Sequence, residues 1–173
     1  YDWKDFLEIM RLLRGPGGCH WDAEQTHASI RRNFLEETYE ALDALDRDSP
    51  VDMQEELGDV LMQVAFHAQI EAERGRFTME DVVDGVAQKL VYRHPHVFGD
   101  AQVNGSEEVL VNWEALKRKE KSQSTTADAV EAVPHTLPAL WRAEKISGKT
   151  AKAGFDWSSA LSALGKLEEE VRE

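Results

Sequence analysis

Cysteine, long apolar runs and basic residues are what this chain of 173 residues has least of. Cys19 is the only cysteine, so no internal disulfide and no cysteine-rich zinc site can form, and a reducing compartment suits the chain best. No stretch approaches the roughly 18 apolar residues that span a bilayer. The N-terminus carries no basic segment followed by an apolar run, so we expect no signal peptide. These absences predict a soluble, cytoplasmic protein without a membrane partner.

Positive charge is scarce because 20 Lys and Arg stand against 33 Asp and Glu, which gives a formal net charge of −13. Such a balance repels phosphate backbones, which argues against general nucleic-acid binding. The hydrophobic content of 42% predicts a folded chain rather than a disordered one. The chain does not begin with methionine and stops inside a charged, helix-like run, so we expect both ends to be cut.

Patterns typical of β-strands are also missing. Apolar residues recur at helical spacing, and no Asn-Gly or Asp-Gly turn joins alternating runs, so the chain is predicted to be all-α. Helices are predicted over about 2–14, 27–47, 51–74, 78–93, 106–121 and 138–151, with a final run to residue 173. Gly75 is expected to end one helix, and Thr78 with Asp81 to cap the next. Ser106 is expected to cap a later helix, and 19–22 to form a loop.

The most informative feature is a set of carboxylates on two successive predicted helices. Glu37 and Glu40 lie about 60° apart on the first helix, and Glu56 and Asp59 stand in the same relation on the second. Two antiparallel helices with such pairs can bring four carboxylates to one point, which suits a hard cation such as Mg²⁺. Most Glu-rich helix faces are merely solvated, and that alternative stays open for Glu36–Glu40 taken alone.

The second of these helices favours the metal interpretation. Within residues 57–70 the only formal charge is Asp59. Four polar residues on this apolar helix form one stripe at positions i, i+3, i+7 and i+11, namely Glu56, Asp59, Gln63 and His67. An ionised carboxylate in such a setting is costly unless a cation or hydrogen-bond donors partner it. His67 is interpreted as a core histidine with satisfied hydrogen bonds rather than as a ligand.

Motifs spread over nearly the whole chain match one known family. The carboxylates stand in LEETYE at 35–40 and EELGD at 55–59. Further motifs are CHWDAEQT at 19–26, HPHVF at 94–98, LPAL at 137–140 and GFDW at 154–157. Together these segments resemble the MazG nucleoside triphosphate pyrophosphohydrolase family. Two positions depart from its pattern: His20 stands where the family usually has Pro, and Tyr92 where many members have a second basic residue.

The resemblance implies an all-α helical bundle, completed by dimerisation, that holds Mg²⁺ on Glu37, Glu40, Glu56 and Asp59, with Mn²⁺ as a substitute ion. The implied reaction is hydrolysis of nucleoside triphosphates, ribo or deoxy and including aberrant ones, to monophosphate and pyrophosphate. Glu36 is the candidate for orienting or deprotonating the attacking water.

Cationic partners for a triphosphate are expected on two later helices. Lys89 and Arg93 lie one turn apart and match basic positions in the family, while Trp113 and Lys117 share a helix face. Trp113 is interpreted as stacking on the base and Lys117 as binding phosphate. Ordinary surface charge stays the alternative for the basic residues, and core packing for Trp113.

The end of the chain repeats the start of the first module. Residues 169–173 are again EExxE, like 36–40, and the chain stops before any ExxD. We therefore expect a MazG-like module over 1–121, a linker over 122–134, and a connecting helix with a truncated second module over 135–173. Activity is expected to come from the first module. A homodimer or higher oligomer is expected to cover its most apolar helix.

Two other functions compete with hydrolysis. A di-iron carboxylate bundle needs Glu-x-x-His on two helices, and the chain offers it once, at Glu24 and His27. A non-catalytic helical module that binds nucleotide or mediates dimerisation fits less well, because the candidate metal ligands are intact. Metal-dependent release of pyrophosphate distinguishes this module from an enzyme.

Overall fold

The computed structural model describes all residues 1–173 and contains helices without any strand, which confirms the all-α fold. In chain order the helices are α1 Trp3–Arg14, α2 His20–Glu24, α3 His27–Asp46, α4 Pro50–Glu73, α5 Met79–Arg93, α6 Pro95–Phe98, α7 Ser106–Glu120, α8 Thr126–Glu131, α9 Ala139–Ala151 and α10 Ala160–Arg172. No helix combines the length and the apolar character that a membrane crossing requires.

The longer helices begin and end close to the residues that the sequence pattern indicates. Gly75 adopts a φ of 66° just after α4, a conformation that glycine reaches without a steric penalty. At the start of α5 the Thr78 hydroxyl accepts from the backbone N–H of Asp81, whose carboxylate accepts from the backbone N–H of Thr78. The predicted stop and the predicted cap are therefore both confirmed.

Three local features differ from the sequence-based expectation. The predicted loop at 19–22 includes the start of the one-turn helix α2. The negative charge of Asp22 in its first turn interacts favourably with the helix dipole. Gly105, not Ser106, occupies the N-cap position of α7, because Ser106 is already helical. The segment 122–134 contains α8, which begins with a capping box between Thr125 and Asp128.

The chain forms two compact units, 1–89 and 90–173, and α5 contains the boundary between them. In the first unit α3 and α4 pack against each other along their length as an antiparallel pair, and α1 packs on α4. The core of this unit consists of Met10, Ile30, Ala65, Phe66 and Ile70. The α3–α4 pair therefore carries most of the candidate metal ligands.

Arg14 ties together the ends of several elements in the first unit. Its side chain is only 5% exposed and donates two hydrogen bonds of 2.8 Å to the carboxylate of Glu73 on α4. It also donates to the carbonyl oxygens of Asp22 and Gln25, and its guanidinium lies over the ring of Phe66. This one side chain thus holds α1, the α2–α3 connection and α4 at one point.

The second unit contains α6 to α10, and within it α8 packs against α9. Ala129 and Val133 are buried there. The modules predicted over 1–121 and 135–173 are defined by a repeated sequence motif, whereas the two units are defined by their compact packing. The module boundaries therefore stay a prediction.

Candidate metal centre

Three carboxylates from two helices meet on the α3–α4 pair. Glu37 lies on α3, Glu56 and Asp59 lie on α4, and one carboxylate oxygen from each falls within 4.8 Å of the other two. All three side chains are half-buried. The antiparallel packing of α3 and α4 produces this arrangement, because residues that approach the connecting turn on α3 face residues that leave it on α4.

Like charges and partial burial make this group of carboxylates unfavourable without a partner. Burial raises the pKa of Glu37, and the nearby charges of Asp59, Glu40 and Glu36 raise it further. Partial burial also raises the pKa of Glu56, with Glu40 and Asp59 as the next causes. No hydrogen bond or ion pair compensates Glu37, Glu56 or Asp59 within the chain. The group is therefore a set of carboxylate acceptors that no cationic side chain of this protein neutralises.

Glu40 and Glu36 lie close to the group without entering it. The Glu40 side chain is exposed, yet its charge contributes to the raised pKa values of both Glu37 and Glu56. Glu36 is also exposed, and its carboxylate accepts a hydrogen bond of 2.7 Å from Nε of Arg32. The structure thus brings three of the four predicted ligands together, with the fourth beside them. Glu36, the predicted water-activating residue, is paired with Arg32.

The donor set fits a hard divalent cation. All the converging atoms are carboxylate oxygens, and no histidine or cysteine belongs to the group. Oxygen-only sets suit Mg²⁺, Mn²⁺ or Ca²⁺, whereas a di-iron bundle also requires histidine ligands. His27, the histidine of the single Glu-x-x-His sequence, instead contacts Glu71.

A second group of predicted site residues meets in the unit 90–173. The guanidinium of Arg93 lies 5.2 Å and the ammonium of Lys117 lies 4.7 Å from the centre of the Trp113 ring. Arg93 is buried, and its Nε donates to Glu120 at 2.8 Å. The indole therefore holds two cations through cation–π contacts in an otherwise acidic protein.

The electrostatic environment of Lys117 resembles that of an anion site. Burial lowers the pKa of Lys117, and although Glu114 opposes this effect, Lys149, Lys121 and Arg93 lower the pKa further. An anion placed near these cations would be stabilised by several charges.

Lys89 is the one predicted cation outside this group of cations. It lies one turn before Arg93 on α5, is half-buried and makes no hydrogen bond or ion pair. The structure therefore brings Arg93, Trp113 and Lys117 together and leaves Lys89 as a neighbour along the helix.

Sequence reasoning missed one buried polar cluster on the α3–α4 pair. His67 contacts His27, and His27 contacts Glu71, which is only 6% exposed. Glu71 continues the polar stripe that starts at Glu56, since it follows His67 by four residues. Glu71 could therefore have been predicted by extending this stripe by one more turn of α4. His67 itself has the satisfied environment that the sequence predicted.

Comparison with known proteins agrees with these geometric observations. The family model described as the MazG nucleotide pyrophosphohydrolase domain matches residues 25–98, a range that includes α3, α4 and α5. The chain is 46% identical over 168 residues to the "Nucleoside triphosphate pyrophosphohydrolase" of Escherichia coli K12, covering 96% of this chain and 64% of that protein.

Relatives in two other bacteria also cover most of the chain. The "Nucleoside triphosphate pyrophosphohydrolase/pyrophosphatase MazG" of Thermotoga maritima is 43% identical over 170 residues, which are 98% of this chain and 65% of that protein. The "Nucleoside triphosphate pyrophosphohydrolase" of Mycobacterium tuberculosis is 44% identical over 154 residues, which are 87% of this chain and 45% of that protein. The chain thus spans about two thirds or less of the length of these relatives, and it belongs to the MazG nucleotide pyrophosphohydrolase family.

Proposed function

We propose that this chain binds Mg²⁺ on Glu37, Glu56 and Asp59, with Glu40 as the fourth ligand, and hydrolyses nucleoside triphosphates to monophosphate and pyrophosphate. The observation that carries the proposal is the convergence of three carboxylate oxygens within 4.8 Å, without a cation from the chain. The names of the relatives support the reaction class, and aberrant nucleotides are included among the proposed substrates.

The protein residues have separate tasks in this reaction. Bound Mg²⁺ supplies neutralisation of phosphate oxygens and a lowered pKa for a coordinated water. Glu37, Glu56 and Asp59 fix the ion from two helices, so their spacing depends on how α3 packs on α4. Glu36 is proposed to orient or deprotonate the water, and this role requires its carboxylate to leave Arg32.

Arg93, Lys117 and Lys89 are proposed to bind the negative charge of the triphosphate. The support is chemical, because Trp113 holds Arg93 and Lys117 beside one ring, and burial with neighbouring cations lowers the pKa of Lys117. Base stacking by Trp113 stays a prediction, since two cations already contact its ring.

A homodimer or larger homo-oligomer is proposed as the assembly. Large apolar side chains between 40% and 57% exposed follow one another on the α3–α4 pair: Leu35, Tyr39, Leu42, Leu45, Leu57 and Leu61. Exposed apolar surface of this extent is typical of an interface, and a second copy of the chain is the proposed cover. We also propose a cytoplasmic location, which the single Cys19 supports.

Two adjacent carboxylates provide a matched test of the metal assignment. Glu56→Gln removes a clustered carboxylate, while Glu55→Gln removes the same charge from the exposed neighbour on α4. Release of pyrophosphate from a panel of standard and modified triphosphates is measured with Mg²⁺ and with EDTA. We expect Glu56→Gln to lose Mg²⁺-dependent release by about two orders of magnitude or more and Glu55→Gln to retain it.

The outcomes separate catalysis from simple nucleotide binding. Equal activity of the two variants would refute the metal assignment. Mg²⁺ binding by the unmodified chain without any pyrophosphate release would favour the non-catalytic binding or dimerisation module. Release of inorganic phosphate rather than pyrophosphate would overturn the proposed reaction.

A further inference from the structure

The polar stripe of α4 runs well beyond the carboxylate group. Gln63 follows Asp59 by one turn, and His67 and Glu71 follow at the next two turns, all on the same face of α4. Gln63 and Glu71 are each only 6% exposed. The end of the α3–α4 pair away from the connecting turn therefore contains buried polar side chains next to the apolar core of Ile30, Phe66 and Ile70.

Two histidines join α3 to α4 at that end. Nδ1 of His27, the first residue of α3, lies 2.7 Å from Nδ1 of His67 on α4. Their rings are stacked, with centres 5.0 Å apart and planes 11° apart. The other ring nitrogen of His27, Nε2, contacts a carboxylate oxygen of Glu71. We call His27, His67 and Glu71 the histidine clip.

Other charged groups near the clip act mainly on Glu71. Arg76 donates to both of its oxygens at 2.5 Å, and Arg74 donates at 3.2 Å. The contact with His27, followed by the nearby Arg76, holds the pKa of Glu71 below its usual value against the effect of burial. In the neighbouring charged pair, Arg14 bonds to Glu73 and to two carbonyl oxygens, and Glu73 also accepts from Gln69. Glu71 is therefore an anion throughout the neutral range.

The hydrogen bonds of the clip fix how many protons it can hold. Because the Glu71 carboxylate accepts, Nε2 of His27 carries a proton. The short contact between the two Nδ1 atoms needs one proton between them, supplied either by His67 or by a protonated His27. A second protonation would place two N–H groups against each other. The clip therefore accepts one net positive charge and is broken by two.

The clip lies at the far end of the same two helices that carry the metal ligands. His67 is eight residues from Asp59 and His27 is ten residues from Glu37, or about 12 and 15 Å along the helices. Near the clip the ring of Phe34 packs against His67. A change of spacing at the clip therefore alters the separation of ligands that lie on different helices.

We infer that His27 and His67 are positioning residues, which hold α3 and α4 at the spacing that brings Glu37 to Asp59, and that a second proton on this pair releases that spacing. The inference rests on the proposed metal-binding function. It adds a device that couples pH to the metal site through residues that do not touch the metal.

The ionisation of His67 supports this role. Burial, followed by the charge of His27, lowers the pKa of His67. A histidine with a lowered pKa binds fewer protons in the folded protein than in the unfolded chain. Folding stability is therefore lost as pH falls below about 6.5 towards the lowered value. For one proton, the unfolding constant rises by up to about tenfold per pH unit in that window.

The test compares the full chain with His67→Asn. The asparagine amide can donate or accept at the position of Nδ1 but does not titrate, so it keeps the clip and removes its pH response. His135→Asn is the matched control, because His135 is exposed and lies in the other compact unit. Mn²⁺ is the probe, and its dissociation constant is measured by electron paramagnetic resonance from pH 7.5 to 5.5.

We expect equal Mn²⁺ affinities for all three proteins at pH 7.5. On lowering the pH to 5.5, the unmodified chain and His135→Asn should lose about threefold more affinity than His67→Asn, which corresponds to half a pH unit of one-proton linkage. Protonation of the carboxylates weakens binding in all three proteins alike and cancels in this comparison. An identical pH profile for His67→Asn and the unmodified chain would overturn the inference.

A measurement on the unmodified chain covers the case in which His67→Asn does not fold. Imidazole nitrogen shifts followed by NMR should show that His67 takes up its proton at a lower pH than a free histidine, whereas a His67 ring that titrates like a free histidine would refute the clip. A chain that binds no Mn²⁺ at pH 7.5 contradicts the proposed metal site. In that case the proposed positioning role is also refuted. The imidazole titration still decides whether the pair of His27 and His67 resists a second proton.

Discussion

Replacing Asp59 by asparagine is expected to stabilise the metal-free protein while it removes the response to Mg²⁺. The substitution Asp59→Asn keeps the size of the side chain and removes only its charge. The carboxylates of Glu37 and Asp59 lie within 4.8 Å of each other, and no cationic side chain pairs with either of them. Most substitutions of half-buried polar residues destabilise a fold, so the opposite sign is a specific signature of a ligand set without its ion.

The size of the effect follows from the separation of the two charges. Two unit charges 4.8 Å apart repel by about 0.9 kcal/mol at the dielectric constant of water. Partial burial strengthens this repulsion and salt screens it, so we expect a gain of about 1 kcal/mol in the free energy of unfolding. The control Glu55→Gln, on the exposed neighbour, should change that free energy by less than about 0.5 kcal/mol.

Urea denaturation with and without Mg²⁺ measures both halves of this prediction. At a Mg²⁺ concentration ten times the dissociation constant, the unmodified chain should gain about 1.4 kcal/mol, and Asp59→Asn should gain none. If Asp59→Asn is less stable than the unmodified chain without metal and still gains stability from Mg²⁺, the three carboxylates are a structural surface and the assignment is wrong.

Three further perturbations test separate parts of the structure. Arg14→Met should lower the free energy of unfolding by about 2 to 4 kcal/mol in urea denaturation, because it removes the cation paired with Glu73 and the donor to two carbonyl groups, whereas the exposed Arg11→Met should cost far less. Relative to Glu37→Gln, the unmodified metal-free chain should gain stability as pH falls through the raised pKa of Glu37 towards 4.5, since over this range the folded state binds more protons than the unfolded chain, and a stability difference that does not change with pH would contradict the raised pKa. Trp113→Ala should weaken binding of a non-hydrolysable triphosphate by about 1 to 3 kcal/mol, and calorimetry should find Mg²⁺ binding unchanged; loss of the folded state would assign the indole to the core.

The sequence predicted the fold and the carboxylate group well because both depend on local periodicity. A spacing of three or four residues places Glu56 next to Asp59 on any helix, and one tight connection makes α3 and α4 antiparallel. The exact meeting of Glu37 with these two residues, and the more exposed position of Glu40, depend on the rotation of α3 about its own axis. No pattern within one helix specifies that rotation, so only the structure separates the three converging ligands from the fourth.

Contacts between distant residues with ordinary local patterns were not predictable. Arg14 ends an amphipathic helix and looks like a surface cation, yet it is buried because Glu73 and two backbone carbonyls converge on it. His27 begins α3 and looks like a capping-region residue, yet it pairs with His67, forty positions further along the chain. Such partners are chosen by packing in three dimensions, which periodicity does not encode.

The α3–α4 pair has more polar groups inside and more apolar groups outside than a stable isolated hairpin has. Between the helices lie small buried residues such as Ala41 and Ala44 together with the carboxylates and the histidine clip, while leucines of both helices remain exposed. Outside the core that Ile30, Phe66 and Ile70 form with Met10, hydrophobic burial between these two helices is limited, since alanine contributes little apolar area. The proposed cation between its carboxylates, the clip, and the proposed partner on its apolar face would each add stability to the pair. Loss of any one of the three should consequently weaken the other two, because all act on the same spacing between α3 and α4.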